Sequence, residues 1–266
     1  MIPDSHPRSQ SLRIRHALIE GMKNNIVAES GLIAHGRGEA FDYLLGEKTH
    51  EFAKKAIGAA AALLKLATHP VISVNGNTAI LCGKEMVDFS NKTGIPLEIN
   101  LFYRRPERYT AIKKHLEELG AEKILGADES RFAELPNLES FRRVVDKDGI
   151  LIADVVFVPL EDGDRTEALV KLGKKVITVD LNPLSRTALA ADVSIVDNIQ
   201  RVFPILDDIY HRLSRESAEQ ILSNYDNHKI LEESLQTISQ GWIKEFSLKY
   251  QRVRKQLQSE ESEIDQ

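Results

Sequence analysis

Three short apolar runs in the second half of the chain, each followed by polar residues, constrain the fold more than any other feature. The first, Ile150 to Leu160, runs into Glu161, Asp162 and Asp164. A helical segment, Thr166 to Leu172, follows and is closed by Gly173. The second run, Val176 to Val179, ends in Asp180, Asn182 and Arg186, and the third, Val193 to Val196, ends in Asp197 and Asn198. Runs without polar alternation, interleaved with helical spacing, read as strands buried on both faces of a parallel sheet. Open sheets of this kind bind ligands just beyond the carboxyl ends of their strands. Residues 154–199 are therefore expected to form half of a binding site.

The rest of the chain extends the pattern. Val71 to Val74 and Leu97 to Phe102 read as further strands, with a weaker one at Lys123 to Leu125. The first runs into Asn75, Gly76, Asn77 and Thr78 before a helix from about Ala79 to Thr93. Asn-Gly is also a hairpin signal, but a helix rather than a strand follows. Tyr103, Arg104 and Arg105 close the second strand, and Pro106 opens a helix, where its missing N–H does no harm. Residues 126–145 break the pattern and read as a loop or excursion. Helices are expected over Arg8 to Asn24 and Glu51 to Thr68, and from Val202 to the C-terminal region. The fold class is α/β, a Rossmann-like parallel sheet flanked by helices, with helical N- and C-terminal segments. Residues 1–229 would form the main domain and 230–266 a C-terminal helical extension.

Gly31, Gly36 and Gly38 surround His35 and Arg37 ahead of a helix expected near Glu39. Read one way, this is a phosphate loop, with backbone close to an anion and a helix N-terminus behind it. Read the other way, it is a turn-rich linker. It matches neither the P-loop nor the dinucleotide fingerprint. Arg13 and Arg15 sit on the N-terminal helix, where solvated surface arginines are the simplest reading.

Composition excludes some functions. The formal net charge of −5 argues against a general nucleic-acid binder. The single cysteine, Cys82, rules out an intrachain disulfide and a cysteine-rich zinc site, and suits a reducing cytoplasm. No run reaches the ~18 to 20 apolar residues of a membrane span, and the first residues lack a signal-peptide core. A cytoplasmic protein is expected.

The polar residues at the strand ends suggest chemistry. Arginines suit phosphate or carboxylate, and clustered carboxylates suit Mg²⁺, which commonly arrives with nucleotide phosphates. Asp180 is placed to accept from ribose hydroxyls. For Asp162 and Asp164 a helix cap explains the pattern equally well. No G-x-S-x-G or H-E-x-x-H is present. The residues alone indicate a nucleotide- or phosphate-handling protein, without fixing the reaction.

Several stretches taken together are similar to the archaeal phosphopantothenate synthetase family, the 4-phosphopantoate–β-alanine ligases. They are SHPR (Ser5 to Arg8), GLIAHGRGEAFDYLLGE (Gly31 to Glu47), HPVISVNGN (His69 to Asn77), INLFYR (Ile99 to Arg104), ADVVFVPLEDGDRTEALVKLGK (Ala153 to Lys174), VDLNPLSRTA with IVDNI, and YDN at Tyr225 to Asn227. The resemblance implies a homodimeric ligase that uses ATP and Mg²⁺ to join 4-phosphopantoate to β-alanine through an acyl-adenylate. AMP and diphosphate would be released. By matching position it places ATP on Arg15, Arg37, Asp180, Leu181, Asn182, Arg186, Thr187, Asn198 and Ile199. Arg186, His35 and Asn75 are the expected catalytic groups. Asn77, Tyr103, Arg104, Asp162 and Asp164 are expected at the substrates, the two aspartates at either Mg²⁺ or the β-alanine ammonium. The metal ligands stay unassigned. A nucleotide-binding regulator or scaffold on the same fold is the competing reading. A dehydrogenase is a weaker third, since no G-x-G-x-x-G follows a strand.

Overall fold

The computed structural model describes residues 8–103, 105–136, 141–241, 248 and 250–255. Arg104 and the SHP of the N-terminal motif lie outside them. Two helices, α1 (Ser9–Lys23) and α2 (Glu29–Leu45), precede the alanine-rich α3 (Glu51–Leu66). Ala53, Ala56, Ala59, Ala60, Ala61 and Ala62 are all fully buried on α3, because small side chains let a helix sit deep in the core. The sheet then begins with β1 (Pro70–Val74), α4 (Gly76–Thr93), β2 (Leu97–Ile99), α5 (Pro106–Glu118) and β3 (Ile124–Leu125). An antiparallel ribbon, β4 (Phe132–Glu134) and β5 (Val144–Asp146), occupies the expected excursion. The second half follows as β6 (Val155–Phe157), α6 (Gly163–Lys171), β7 (Lys175–Val179), α7 (Arg186–Ala190), β8 (Val193–Ile195) and α8 (Ile199–Arg212). The chain continues through α9 (Arg215–Ser223) and α10 (Asn227–Gln236).

All pairings in the six-stranded sheet are parallel, in the order β3-β2-β1-β6-β7-β8. The chain winds outward from β1 to one edge, returns to β6 beside β1, and winds to the other edge. That reversal makes the β1–β6 boundary the switch point, where a crevice opens between diverging connections. Helix α10 crosses residue 229 and buries Ile230 and Leu231 in the core that also holds α3 and β8. No helix among the described residues is long and apolar enough to cross a membrane.

Two expectations are corrected. The run from Ile150 to Leu160 is not one strand: only Val155–Phe157 pairs in the sheet. Asp154 interrupts it, its carboxylate accepting from Thr68 N (2.7 Å) and His69 N (2.9 Å), while Ile150 and Ala153 fill a smaller core against Val71 and Val156. The glycine stretch is not a loop. Gly31, Gly36 and Gly38 all lie within α2.

The excursion is tied to the sheet through one buried carboxylate. Glu98, in the middle of β2, accepts from Asp146 N (3.0 Å) and Ile150 N (2.6 Å). Asp146 in turn accepts from Gly126 N at 3.1 Å. Burial pushes the Glu98 carboxyl up to about 7, against the two backbone N–H groups and Arg165 that favour its charged form. A carboxyl whose folded pKa is raised holds its proton longer in the native state. Its contribution is therefore complete below about 4.5, the ordinary value, and is lost as pH rises to about 7. That loss amounts to about 3 kcal/mol. Urea midpoints at pH 5 and pH 8 should fall further in the wild type than in Glu98→Gln. Equal falls in both would show that Glu98 does not carry the dependence.

Candidate active site at the strand ends

Helix α2 lies across the carboxyl edge of the sheet. At one end Asn77 Nδ2 donates to Gly31 O (2.8 Å), above β1. Further along, a Cβ on Gly38 would stand 3.7 Å from the Leu181 side chain, just past β7. At the far end Asn198 Nδ2, past β8, donates to Asp42 Oδ2 (2.9 Å). The eleven residue steps from Gly31 to Asp42 rise by roughly 16 Å at about 1.5 Å each. Three strand spacings of about 4.8 Å span roughly 14 Å, so the helix matches the distance it has to cover. Close approach explains the first glycine: a Cβ on Gly31 would stand 2.3 Å from Asn77 Oδ1. Nothing packed near Gly36 requires a glycine there. Each glycine costs the helix about 1 kcal/mol of propensity, and tertiary packing of α2 outweighs it.

His35 and Arg37 therefore reach the crevice from a helix roof, not from a helix N-terminus. Arg37 is exposed and lies close enough to Asp180 to attract it. His35 is half-buried, and its Nε2 makes no hydrogen bond among the described residues. Burial lowers the His35 pKa, and Arg15 lowers it further, against the attraction of Glu39 and Asp42. A neutral imidazole facing the crevice can accept or pass a proton near neutral pH. Arg15, on α1, is paired with Glu39 of α2 (2.8 Å), and the Tyr43 hydroxyl donates to the same carboxylate (2.7 Å).

On the β7–β8 side the turn after β7 is held by Asp180. Its carboxylate accepts from Asn182 N (2.9 Å) and from the Ser185 hydroxyl. Burial raises the Asp180 pKa, while those two donors and Arg37 pull it back. Leu181 is buried. Asn198 caps α8 through Gln200 N (3.1 Å), and Ile199 is buried as the first residue of that helix. Arg201, unmarked by any motif, joins the carboxylates of Asp42 (2.6 Å) and Asp197 (2.5 Å), and Thr49 donates to Asp197 (2.6 Å). Only the four-residue spacing of Asp197 and Arg201 hints at this knot in the sequence. Its link to Asp42 is long-range.

At the switch point, Asn75 fastens the two halves. Its Oδ1 accepts from Thr78 N (3.1 Å) in a capping box for α4, and its Nδ2 donates to Pro159 O (3.3 Å) and Leu160 O (3.1 Å). Leu160 adopts φ 54°, a left-handed conformation that a branched side chain disfavours. It is held there by the Asn75 contact and by its own N–H to Val179 O (3.1 Å). Strain of this kind clusters at ligand sites.

The acidic cluster divides. Glu161 is almost fully buried between Arg142 (2.6 Å) and Arg165, and Arg165 also donates to Ser73 Oγ (2.9 Å). Asp162 caps α6 through Arg165 N (3.0 Å) and lies 2.9 Å from Arg142 Nε. That contact is an ion pair in which the two atoms are not aligned as a hydrogen bond, so the attraction is electrostatic. Asp164 is exposed and pairs with Arg186 (2.7 Å), which also meets Glu167 (2.9 Å). Gly163 permits that approach, since a Cβ there would stand 2.5 Å from Arg186 Cβ. Thr187 donates to Glu161 O (3.0 Å), joining α7 to the same loop. No group of three or more possible metal ligands converges among the described residues. The acids present do not make a cage by themselves; they fit a cation that arrives already coordinated by phosphate, with the exposed Asp164 the one free of a buried partner. Tyr103 is exposed beyond β2.

A doubly wound sheet with arginines and acids gathered at the ends of its strands defines the class: an α/β protein whose ligand crevice lies at the switch point. Residues 52–241 match the family described as phosphopantothenate/pantothenate synthetase. A 4-phosphopantoate–beta-alanine ligase of Thermococcus kodakarensis is 52% identical over 238 residues, covering 88% of this chain and 90% of the relative. Proteins of the same name from Methanosarcina mazei and Methanospirillum hungatei are 45% identical over 242 residues and 53% over 201. They cover 90% and 76% of this chain, and 94% and 81% of the relatives. The chain belongs to the phosphopantothenate/pantothenate synthetase family.

Proposed function

We propose that the chain is an ATP-dependent ligase that joins 4-phosphopantoate to β-alanine, giving 4′-phosphopantothenate, AMP and diphosphate for coenzyme A synthesis. The observation that carries the reading is the crevice at the β1–β6 switch point, roofed by α2, in a chain about half identical to ligases of that name over most of its length. ATP is assigned to the β7–β8 side, with Arg15, Arg37, Asp180, Leu181, Asn182, Arg186, Thr187, Asn198 and Ile199 around it. Asn77, Tyr103, Asp162 and Asp164 are assigned to the substrates, together with Arg104, which lies outside the described residues.

In the first step a carboxylate oxygen of 4-phosphopantoate attacks the α-phosphorus of ATP. The bond from that phosphorus to the bridging oxygen breaks, and diphosphate leaves. In the second the β-alanine nitrogen attacks the acyl carbon, the bond to the AMP oxygen breaks, and the nitrogen gives up a proton. Negative charge builds at the phosphates in the first step, so fixed cations stabilise it. Arg37 and Arg186 are exposed at the crevice, and the Asp164 and Glu167 pairs of Arg186 are exposed enough to be exchanged cheaply for phosphate. His35 is assigned to take the amine proton, and Asn75, bonded to Thr78 on one side and to Pro159 and Leu160 on the other, ties the two strand ends together. Mg²⁺ would enter with ATP and neutralise phosphate charge. A homodimer fits the exposed Ile33 and Leu44 on α2, which a second chain would cover.

The test is AMP release with ATP, Mg²⁺, 4-phosphopantoate and β-alanine. No AMP would sink the ligase reading and leave a nucleotide-binding regulator or scaffold on the same fold. In Arg186→Ala, single-turnover formation of the adenylate should slow at least about tenfold with an unchanged melting temperature. Unaltered kinetics would remove Arg186 from the reacting phosphates.

A further inference from the structure

Helix α2 roofs the crevice without a broad apolar face to hold it there. Among its described residues only Asp42 and Leu45 are buried, while Ile33 and Leu44 are exposed. Leu32 and Phe41 pack only partly against the core. Three glycines weaken the helix from within. Gly31, His35, Gly38 and Asp42 recur at spacings of four, three and four, so they share the face turned to the strand ends. A docked helix ordinarily carries an apolar stripe there; α2 carries small and polar residues. Its place over the crevice therefore depends on a few polar contacts.

The densest of these contacts lies at the end over β8. Arg201 Nη1 and Nη2 donate to Asp42 Oδ2 (3.2 Å) and Oδ1 (2.6 Å), a two-pronged fork. Its Nε and Nη2 also donate to Asp197 Oδ1, at 2.8 and 2.5 Å. All three guanidinium nitrogens are used, and one cation holds both acids. Asn198 links the same pair: its backbone N–H donates to Asp197 Oδ1 (2.7 Å) and its side chain to Asp42 (2.9 Å). Thr49, in the loop that leaves α2, donates to Asp197 as well. The knot thus joins the roof, its exit loop and the β8–α8 junction. It is largely closed to water, with the side chains of Asp42, Asp197 and Arg201 8%, 1% and 19% exposed. Burial alone would lower the Arg201 pKa; Asp42 and Asp197 outweigh it and hold the guanidinium charged.

We propose that Arg201 is a positioning residue: by holding Asp42 and Asp197 together it seats α2 on the end of β8 and fixes Arg37 and Asn198 relative to each other at the nucleotide. The proposal rests on the ligase reading, which places ATP against both residues. Arg201 acts through them and not on ATP, since its own nitrogens already have acceptors in the protein. The two carboxylates bond the same nitrogen at 2.6 and 2.5 Å, so their oxygens are no more than about 5 Å apart. Without the cation, two buried like charges would face each other at that distance and push the roof away from the strand end. Asp42 is the member that can move, because it rides on the weakly docked helix. Loss of Arg201 should therefore do more harm than loss of the Asp42 charge, and removing that charge should relieve it.

The test is calorimetric ATP binding to the full-length protein and its variants, with melting temperature and AMP release measured separately. Arg201→Gln should raise the Kd for ATP at least about tenfold, the size of a typical coupling between distant groups. Arg201→Lys keeps a charge between the acids without the fork and should raise it less. Adding Asp42→Asn to Arg201→Gln should bring the affinity back toward that of wild type, because an acceptor for Asn198 remains while the repulsion is gone. A melting temperature lowered in Arg201→Gln is expected of any broken buried pair; the ATP affinity is what a merely structural role would leave alone. Unchanged affinity in folded Arg201→Gln overturns the proposal and leaves the ligase reading standing if AMP is released. So does a further loss when Asp42→Asn is added. If Arg201→Gln does not fold, the same comparison is made between Arg201→Lys and its combination with Asp42→Asn, and unchanged affinity in Arg201→Lys overturns the proposal. If the variants behave as expected but wild type releases no AMP, the ligase reading fails and the positioning role stands. No ATP bound by wild type sinks both.

Discussion

In Glu161→Ala the protein is expected to lose about 3–5 kcal/mol of stability, the cost of removing one partner from a buried ion pair. The Glu161 side chain is 1% exposed, and those of Arg142 and Arg165 are 8% and 0%. Removing the acid leaves two guanidinium groups in the interior with Asp162 and Glu98 as neighbouring acids, and one of them, Arg165, has two nitrogens without hydrogen bonds among the described residues. Glu161→Gln keeps the shape and an acceptor oxygen but not the charge, so it should be less damaging. Urea denaturation of both variants checks this. A midpoint in Glu161→Ala corresponding to less than about 1 kcal/mol lost would place Glu161 among exposed, weakly coupled pairs. The network also sets the site: Arg142 comes from the β4–β5 excursion, Arg165 from α6, and Ser73 from β1. Loss of Glu161 should therefore loosen the crevice as well as the core.

Arg37→Ala should raise the Kd for ATP by about 10- to 100-fold while leaving the melting temperature unchanged. The magnitude is that of a hydrogen bond to a charged group, about 1.5–3 kcal/mol. Arg37 is exposed on α2 and makes no hydrogen bond or ion pair among the described residues, so nothing in the fold depends on it. Asp180→Ala is a less selective experiment, because Asp180 also holds Asn182 N and Ser185. Asp180→Asn retains an acceptor for that turn and isolates the charge. Unchanged ATP affinity in Arg37→Ala, measured on folded protein, would take Arg37 out of the nucleotide site. Arg15→Ala would not serve as a control, since Arg15 pairs with Glu39 and helps join α1 to α2.

The parallel sheet was legible because β-branched runs with polar ends have few other solutions. β2, β3 and β8 fall within the expected apolar runs, β1 and β7 each start one residue before theirs, and Asn75 begins a helix and not a hairpin. Where the reading failed, a distant contact outweighed a local signal. Gly31, Gly36 and Gly38 look like a loop to any rule based on propensity, yet α2 runs through them because it must lie close over Asn77 and Leu181. The first run was overcalled for a related reason: Asp154 stops the strand by capping backbone N–H groups at Thr68 and His69, far away in sequence.

Local sequence thus determined the order of strands and helices, the placement of polar residues at the strand ends, and the motif set by which the family could be recognised. All of these depend on neighbouring residues and on periodicity. Tertiary structure decided which ends meet. It put His35 and Arg37 over the crevice from a helix, paired Arg186 with Asp164, and buried Glu161 between two arginines. Such pairings join residues tens of positions apart, and their energies appear only once burial has removed water from between them. The three runs between residues 150 and 199 specify the sheet; the chain that folds over them specifies the site.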